Sequence, residues 1–294
     1  MTSPTPGNLT HRTVDVGEVR LHVVEAGPAD GPLVVLLHGF PESWYCWRNQ
    51  IPALAAAGYR VVAPDQRGYA ESDKPQGVAA YRIERLVADV VGLIRSYGRE
   101  RAHVVGHDWG AIVAWMLAND HPEILGKLVI CNVAHPKRMI DGILFRPEQR
   151  MKSWYVGMFQ LPVLPERMVR KDDFRGLRSM FRKDPVRAGA YTAEDIEHTI
   201  AALKHEGALT GAINWYRAAF RQTFHTRSRL RRIETPTLVL WGDRDRYISK
   251  ALAEPPEGKV PNARTVHFDA SHWLPSDAPD AVNAEILAFF GGTA

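Results

Sequence analysis

The chain has 294 residues, 45% hydrophobic and 24% charged, which excludes a disordered chain, a collagen-like repeat and a short disulfide-stapled scaffold. No apolar stretch approaches the ~18 residues of a membrane span, and Met1 to Gly7 has neither the basic start nor the apolar run of a signal peptide, so a cytoplasmic protein is expected. The formal charge of +4 is uneven, with 20 Lys and Arg against 10 Asp and Glu between His135 and Ile233 and 17 against 23 elsewhere.

Val14 to Ala26 alternates apolar and polar positions around Gly17, the pattern of an antiparallel hairpin. Leu33-Val34-Val35-Leu36-Leu37 has no alternation, as expected of a strand buried on both faces, and Tyr59 to Ala63 and His103 to Val105 look the same. Between these, Ile83, Leu86, Val87, Val90, Leu93, Ile94 and Tyr97 recur at helical spacing, with Gly98 placed to end the helix. Leu128 to Cys131 supplies another strand. From about His135 to Arg232 the sequence turns helical, basic and rich in Met, Phe, Trp and Tyr, with a helix start at Thr192 and Asp195 and an end at Gly207. Strand signals return at Thr237 to Trp241 and around Thr265 to Phe268, and a last amphipathic helix runs from about Asp280 to Phe290.

Strands alternating with helices predict an α/β fold, a mostly parallel central sheet covered by helices on both faces. Residues 1–134 and 233–294 are expected to form its core, and residues 135–232 a helical insertion. The insertion's positive charge fits either an anionic partner or arginines and lysines on solvated helix faces. It lacks the aromatic interleaving of a single-strand binding groove, so no nucleic-acid partner is expected. Cys46 and Cys131 lie in apolar or aromatic surroundings; a disulfide and a metal pair stay open, and two buried thiols are the simplest reading.

The most informative stretch is His103-Val104-Val105-Gly106-His107-Asp108-Trp109-Gly110-Ala111. An apolar strand runs into Gly-X-Asp-X-Gly and then a helix, the spacing of a tight turn that lifts one reactive side chain above the sheet. The central residue is Asp108, and no Gly-X-Ser-X-Gly occurs in the chain. A carboxylate attacking a carboxylic ester yields an unproductive anhydride. Backside attack on an sp3 carbon yields an alkyl ester that water can cleave.

Cleavage needs a base and an oxyanion hole. His272, within Ser271-His272-Trp273, follows the late strand and is the candidate base. Trp241-Gly242-Asp243-Arg244-Asp245 follows the preceding strand and offers two acids to orient it. Nucleophile, acid and histidine then come in the usual chain order for this turn. His38-Gly39-Phe40-Pro41 follows the first buried strand, so the backbone N–H groups of Phe40 and Trp109 are the candidate oxyanion donors.

With these motifs the chain resembles, over essentially its full length, an α/β-hydrolase of the soluble epoxide hydrolase family. The resemblance is carried by His38-Gly39-Phe40-Pro41-Glu42-Ser43-Trp44, where that family has a cis Phe-Pro bond, by Ala63-Pro64-Asp65-Gln66-Arg67-Gly68-Tyr69, and by Gly106-His107-Asp108-Trp109-Gly110. It implies Asp108 as nucleophile, His272 as base and Asp245, rather than Asp243, as the orienting acid. The insertion becomes a lid carrying two tyrosines that donate hydrogen bonds to the epoxide oxygen. Asn214-Trp215-Tyr216-Arg217 points to Tyr216, and Ser153-Trp154-Tyr155 with Phe159-Gln160 points to Tyr155. A phenol of pKa ~10 stays protonated at neutral pH and can donate.

The resemblance further implies an apolar epoxide and water as substrates, with Phe40, Trp109, Trp154 and Trp215 lining the site. No ligand cluster at metal spacing occurs, so no metal and no cofactor are expected, nor, without a long apolar stretch, a membrane; a homodimer stays open. The phosphatase-like domain of some vertebrate relatives is not expected, and Pro275 and Asp277 depart from residues common in relatives. The competing readings are a haloalkane dehalogenase and a non-catalytic ligand sensor. Phe40 where dehalogenases often carry Asn, and Trp109 and Ile112 where fluoroacetate-type enzymes carry Arg, count against the first. Intact Asp108, His272 and Asp245 count against the second.

Overall fold

In the computed structural model, which describes residues 9–291, eight strands form one sheet in the order β1-β2-β4-β3-β5-β6-β7-β8. The segment Met1 to Gly7, read above for a signal peptide, lies outside the described residues. Strands β1 (Thr10–Asp15) and β2 (Arg20–Ala26) form the expected hairpin, and β2 pairs antiparallel with β4 (Arg60–Pro64). Strands β3 (Leu33–Leu37), β4, β5 (Ala102–His107), β6 (Leu125–Cys131), β7 (Thr237–Gly242) and β8 (Ala263–Phe268) all run parallel.

Burial on both faces explains the unbroken apolar runs. In β3, Leu33, Val35 and Leu37 enter one core cluster while Val34 and Leu36 enter another across the sheet. Each such side chain contributes about 1.5–3 kcal/mol on leaving water. One face is covered by α2 (Ile83–Ser96) and α3 (Trp109–Asp120), the other by α1 (Gln50–Ala56) and α11 (Pro279–Gly291). Gly98, at φ +64°, follows α2 in the left-handed conformation that releases the chain from a helix.

Between β6 and β7 lie α4 (Pro136–Phe145), α5 (Pro147–Lys152), α6 (Trp154–Met158), α7 (Leu164–Lys183), α8 (Ala193–Lys204) and α9 (Ala208–Ser228). Helix α7 is broken at Lys171–Phe174, where the backbone leaves helical geometry. A reciprocal cap between Thr192 and Asp195 starts α8, as its sequence predicts. Gly207 has a different role from the one expected. Helix α8 stops at Lys204, and Gly207, left-handed at φ +76°, precedes α9. A left-handed glycine suits either end of a helix, so sequence alone does not separate the two uses.

Helix α9 is seated directly on the sheet's loops. A Cβ on Gly211 would come within 2.9 Å of the Gly68 Cα, so only glycine permits this approach. Beside it, the Trp215 indole N–H donates to the Arg67 carbonyl at 3.0 Å, and Arg67 is itself held by a two-pronged pair with buried Asp89. Among the described residues, no helix is long and apolar enough to cross a membrane.

Candidate active site

Register brings the chemistry together. Leu37 pairs with Gly106, His107 with Cys131, Cys131 with Leu240, and Gly242 with Phe268. The carboxyl ends of β3, β5, β6, β7 and β8 therefore align, and the loops that follow them share one edge of the sheet, where open α/β sheets form their binding crevices.

Asp108 sits between β5 and α3 at φ +49° and ψ −122°, a conformation costly for a residue with a Cβ. The turn is crowded: a Cβ on Gly110 would lie 2.6 Å from the His38 carbonyl oxygen, and one on Gly106 2.6 Å from the Ala111 Cα. The Phe40 N–H donates to Asp108 Oδ1 at 2.8 Å, and the Phe40–Pro41 peptide is cis. Trp109 begins α3, so its N–H belongs to the helix's first turn, whose donors have no partner within the helix. These are the two donors expected from sequence.

His272 stands between two carboxylates. Its Nδ1 is 2.7 Å from Asp245 Oδ2 and its Nε2 is 3.6 Å from Asp108 Oδ2. Burial alone would lower its pKa, but the charge of Asp245 and its contact with Asp108 raise it to about 10. Burial alone would raise both carboxyls, yet the hydrogen bond and charge of His272 hold Asp108 and Asp245 below the usual carboxylate range. At neutral pH the trio is an imidazolium between two carboxylates.

Asp245 also accepts N–H bonds from Tyr247 at 2.7 Å and Ile248 at 2.9 Å, and one from the Asn132 side chain at 2.9 Å. Asp243, the other acid of the pair, is engaged elsewhere, with Lys250 at 2.5 Å and His267 at 2.6 Å.

Facing Asp108, Tyr216 packs edge-on against Phe40, 5.5 Å away, and Trp109, 4.9 Å away. Tyr155 lies 5.9 Å from Tyr216, and buried Phe159 fills the corner between them and Phe40. Burial, reinforced by the charge of Asp108, pushes both phenols above the ordinary tyrosine value, so both are protonated donors. Arg217 fixes this corner: it donates to the carbonyls of Phe159 at 3.0 Å and Leu161 at 2.8 Å while pairing with Glu166.

Two expected lining residues do not line the site. Trp154 is 64% exposed. It neighbours Tyr155 on α6, and successive helical side chains point about 100° apart, so turning Tyr155 inward turns Trp154 outward. Trp215, next to Tyr216 on α9, is wholly buried and faces the Arg67 carbonyl, Tyr69 and the back of Trp109.

Three residues without an assigned role join the site. Asn132 follows β6 and lies at the same sheet edge as the expected residues, the signal that could have found it. His107 donates its Nε2–H to the His272 carbonyl at 2.8 Å, and its other nitrogen lies 3.5 Å from buried Glu42. Glu42 also accepts from the Tyr191 hydroxyl at 2.8 Å.

Comparison with known proteins gives the family. Residues 32–279 match the family model of the alpha/beta hydrolase fold. The chain is 44% identical to the AB hydrolase superfamily protein YfhM of Bacillus subtilis, over 94% of this chain and 96% of that one. It is 37% identical to epoxide hydrolase 4 of Mus musculus, over 98% of this chain and 81% of that one. Among solved structures, epoxide hydrolase A from Mycobacterium thermoresistibile superposes with a TM-score of 0.85 at 34% identity, covering 97% of this chain and 99% of the other. The aspartate-bearing turn, the paired histidine and the sequence likeness agree: the chain belongs to the epoxide hydrolase family of α/β-hydrolases.

Proposed function

We propose that this enzyme converts an apolar epoxide to a vicinal diol through a covalent ester on Asp108. The observation that carries the reading is the His272 imidazole held between Asp108 and Asp245. In this reading residues 1–134 and 233–294 are the catalytic body and residues 135–232 its lid. A cytoplasmic setting fits the two cysteines, both buried free thiols.

Asp108 Oδ2 attacks a ring carbon while Oδ1 stays bonded to the Phe40 N–H. The carbon–oxygen bond of the ring breaks, and its electron pair leaves on oxygen, which takes a proton from Tyr155 or Tyr216. As Asp108 becomes a neutral ester, the negative charge that held the phenols high disappears, and the donors strengthen as the alkoxide forms. The tyrosinate regains a proton in net exchange for that of His272, whose pKa falls once one of its two carboxylate partners is neutralised.

Neutral His272 then removes a proton from water, which attacks the Asp108 carbonyl carbon. The Phe40 and Trp109 N–H groups bear the oxyanion. The ester bond breaks, the diol oxygen takes the proton from His272, and the Asp108 acid returns its own proton to His272. The cycle closes on the starting ion pair, with one water consumed. Two phenols suit an oxygen leaving group, whereas a halide needs no proton, which favours an epoxide over a haloalkane.

A single turnover of a terminal aryl epoxide in H218O, with enzyme in excess, tests the reading. The diol is expected to carry 16O from Asp108, and the Asp108 peptide to gain 18O. Diol labelled from solvent, with an unlabelled Asp108 peptide, would overturn the covalent route.

A further inference from the structure

Asp277 is a buried carboxylate outside the trio, in the short helix α10 (Leu274–Asp277), and it is only 4% exposed. Its oxygens are directed at backbone amides from two segments, one six residues away and the other about 90. Oδ2 accepts from the Ser271 N–H at 2.7 Å and from the Val186 N–H at 2.9 Å, and Oδ1 accepts from the Arg187 N–H at 2.6 Å. The Arg187 side chain completes the clasp, donating to the Asp277 carbonyl at 3.0 Å and the Ser276 carbonyl at 2.6 Å.

The two segments have different duties. Ser271 immediately precedes His272, so its amide is the last backbone anchor before the base. Val186 and Arg187 belong to the connection between α7 and α8, within the inserted helices. Hydrogen bonds to an ionised acceptor are roughly twice as strong as neutral ones, and a carboxylate is acceptor-only, which three converging N–H donors require. An amide in its place would turn a donor toward at least one of them.

We propose that Asp277 is a positioning residue for the hydrolytic half of the reaction, clamping the base loop to the 186–187 segment so that His272 is aligned while that segment is seated. The proposal rests on the reading of His272 as base. Ring opening needs Asp108 and the tyrosines, whereas ester cleavage alone needs neutral His272 in place, so a slack clamp slows the second step selectively.

The test is rapid-quench kinetics of an aryl epoxide with excess enzyme, reading alkyl-enzyme by intact mass and diol by chromatography, for wild type, Asp277→Asn, Arg187→Ala and His272→Gln. Asp277→Asn is expected to form alkyl-enzyme close to the wild-type rate and to cleave it about 10- to 100-fold more slowly, the scale of a misplaced catalytic group. Arg187→Ala, an exposed change that leaves the carboxylate in place, is expected to show a smaller effect of the same kind. Equal slowing of both steps by Asp277→Asn, or wild-type partitioning in it, overturns the proposal. Should Asp277→Asn fail to fold, Arg187→Ala decides by the same criterion. His272→Gln separates the premises. Its alkyl-enzyme is expected to persist, and if it turns over freely the base assignment fails and takes this proposal with it.

Discussion

Asn132 donates its side-chain N–H to Asp245 Oδ2, the same oxygen that meets His272 Nδ1. Its own Oδ1 accepts from the Gly242 N–H at 3.0 Å, so one amide ties the end of β6 to the end of β7 and orients the acid between them. Asn132 does this at φ +47°, a left-handed conformation that asparagine tolerates better than most residues. Asn132→Ala is expected to lower stability by about 1.5–3 kcal/mol through the lost bond to a charged group. Ester cleavage should slow about tenfold as Asp245 loses its alignment. Asn132→Gly removes the backbone strain but not the missing bond, so it should regain some stability while cleaving as slowly as the alanine variant. Denaturation curves and single-turnover rates for both variants check this. Wild-type cleavage by the glycine variant would mean that the Tyr247 and Ile248 amides hold Asp245 without help.

His272 should make folding stability depend on alkaline pH. Its pKa is about 10 in the folded protein, against ~6.5 for an unperturbed histidine. The folded state therefore binds the proton more tightly, and the resulting stability is present in full below about pH 6.5 and lost as pH rises toward 10. The lowered carboxyls act in the opposite sense, with their stability present above the unfolded carboxyl value and lost on acidification. Wild-type Tm should fall between about pH 6.5 and 10 more steeply than that of His272→Gln. Parallel curves for the two proteins would show that the imidazole is not held charged.

Much of this site was legible because its parts obey one positional rule. Phe40, Asp108 and Asp245 follow unalternated apolar strands whose burial makes their ends easy to find, while His272 follows the half-exposed edge strand β8 and was legible from its place in chain order. Asn132 obeys the same rule but belongs to no motif, and its chemistry depends on a pairing 113 residues along the chain. Asp277 stands only five residues after the base, yet the amides it binds include two about 90 residues earlier, beyond any local pattern. The aromatic pairs failed for a different reason. Sequence identifies Ser153-Trp154-Tyr155 and Trp215-Tyr216 as a cluster, whereas helix rotation, set by contacts such as Gly211 on Gly68, decides which ring faces Asp108.

That distinction has a direct consequence at Trp154. As an exposed side chain it should tolerate Trp154→Ala with a stability change within about 0.5 kcal/mol and with near-wild-type kinetics. Thermal denaturation and steady-state rates on a bulky aryl epoxide provide the check. A large rise in KM would return Trp154 to the substrate path.

Tyr155 and Tyr216 should divide the proton donation between them. General-acid assistance contributes about 10²–10⁴-fold, and each Phe substitution leaves one phenol still able to donate. Tyr155→Phe and Tyr216→Phe are each expected to slow ester formation by about 10- to 100-fold, and the double variant by close to the full general-acid contribution. Cleavage of ester already formed should change little, since that step uses His272 and the Phe40 and Trp109 amides. Because Tyr216 is the more deeply buried ring and touches both Phe40 and Trp109, its loss should also raise KM more than the loss of Tyr155. Rapid-quench measurement of alkyl-enzyme formation for the two single variants and the double variant separates these effects. If ester formation in the double variant matched either single variant, only one tyrosine would be the donor, and the other would serve to shape the wall around it.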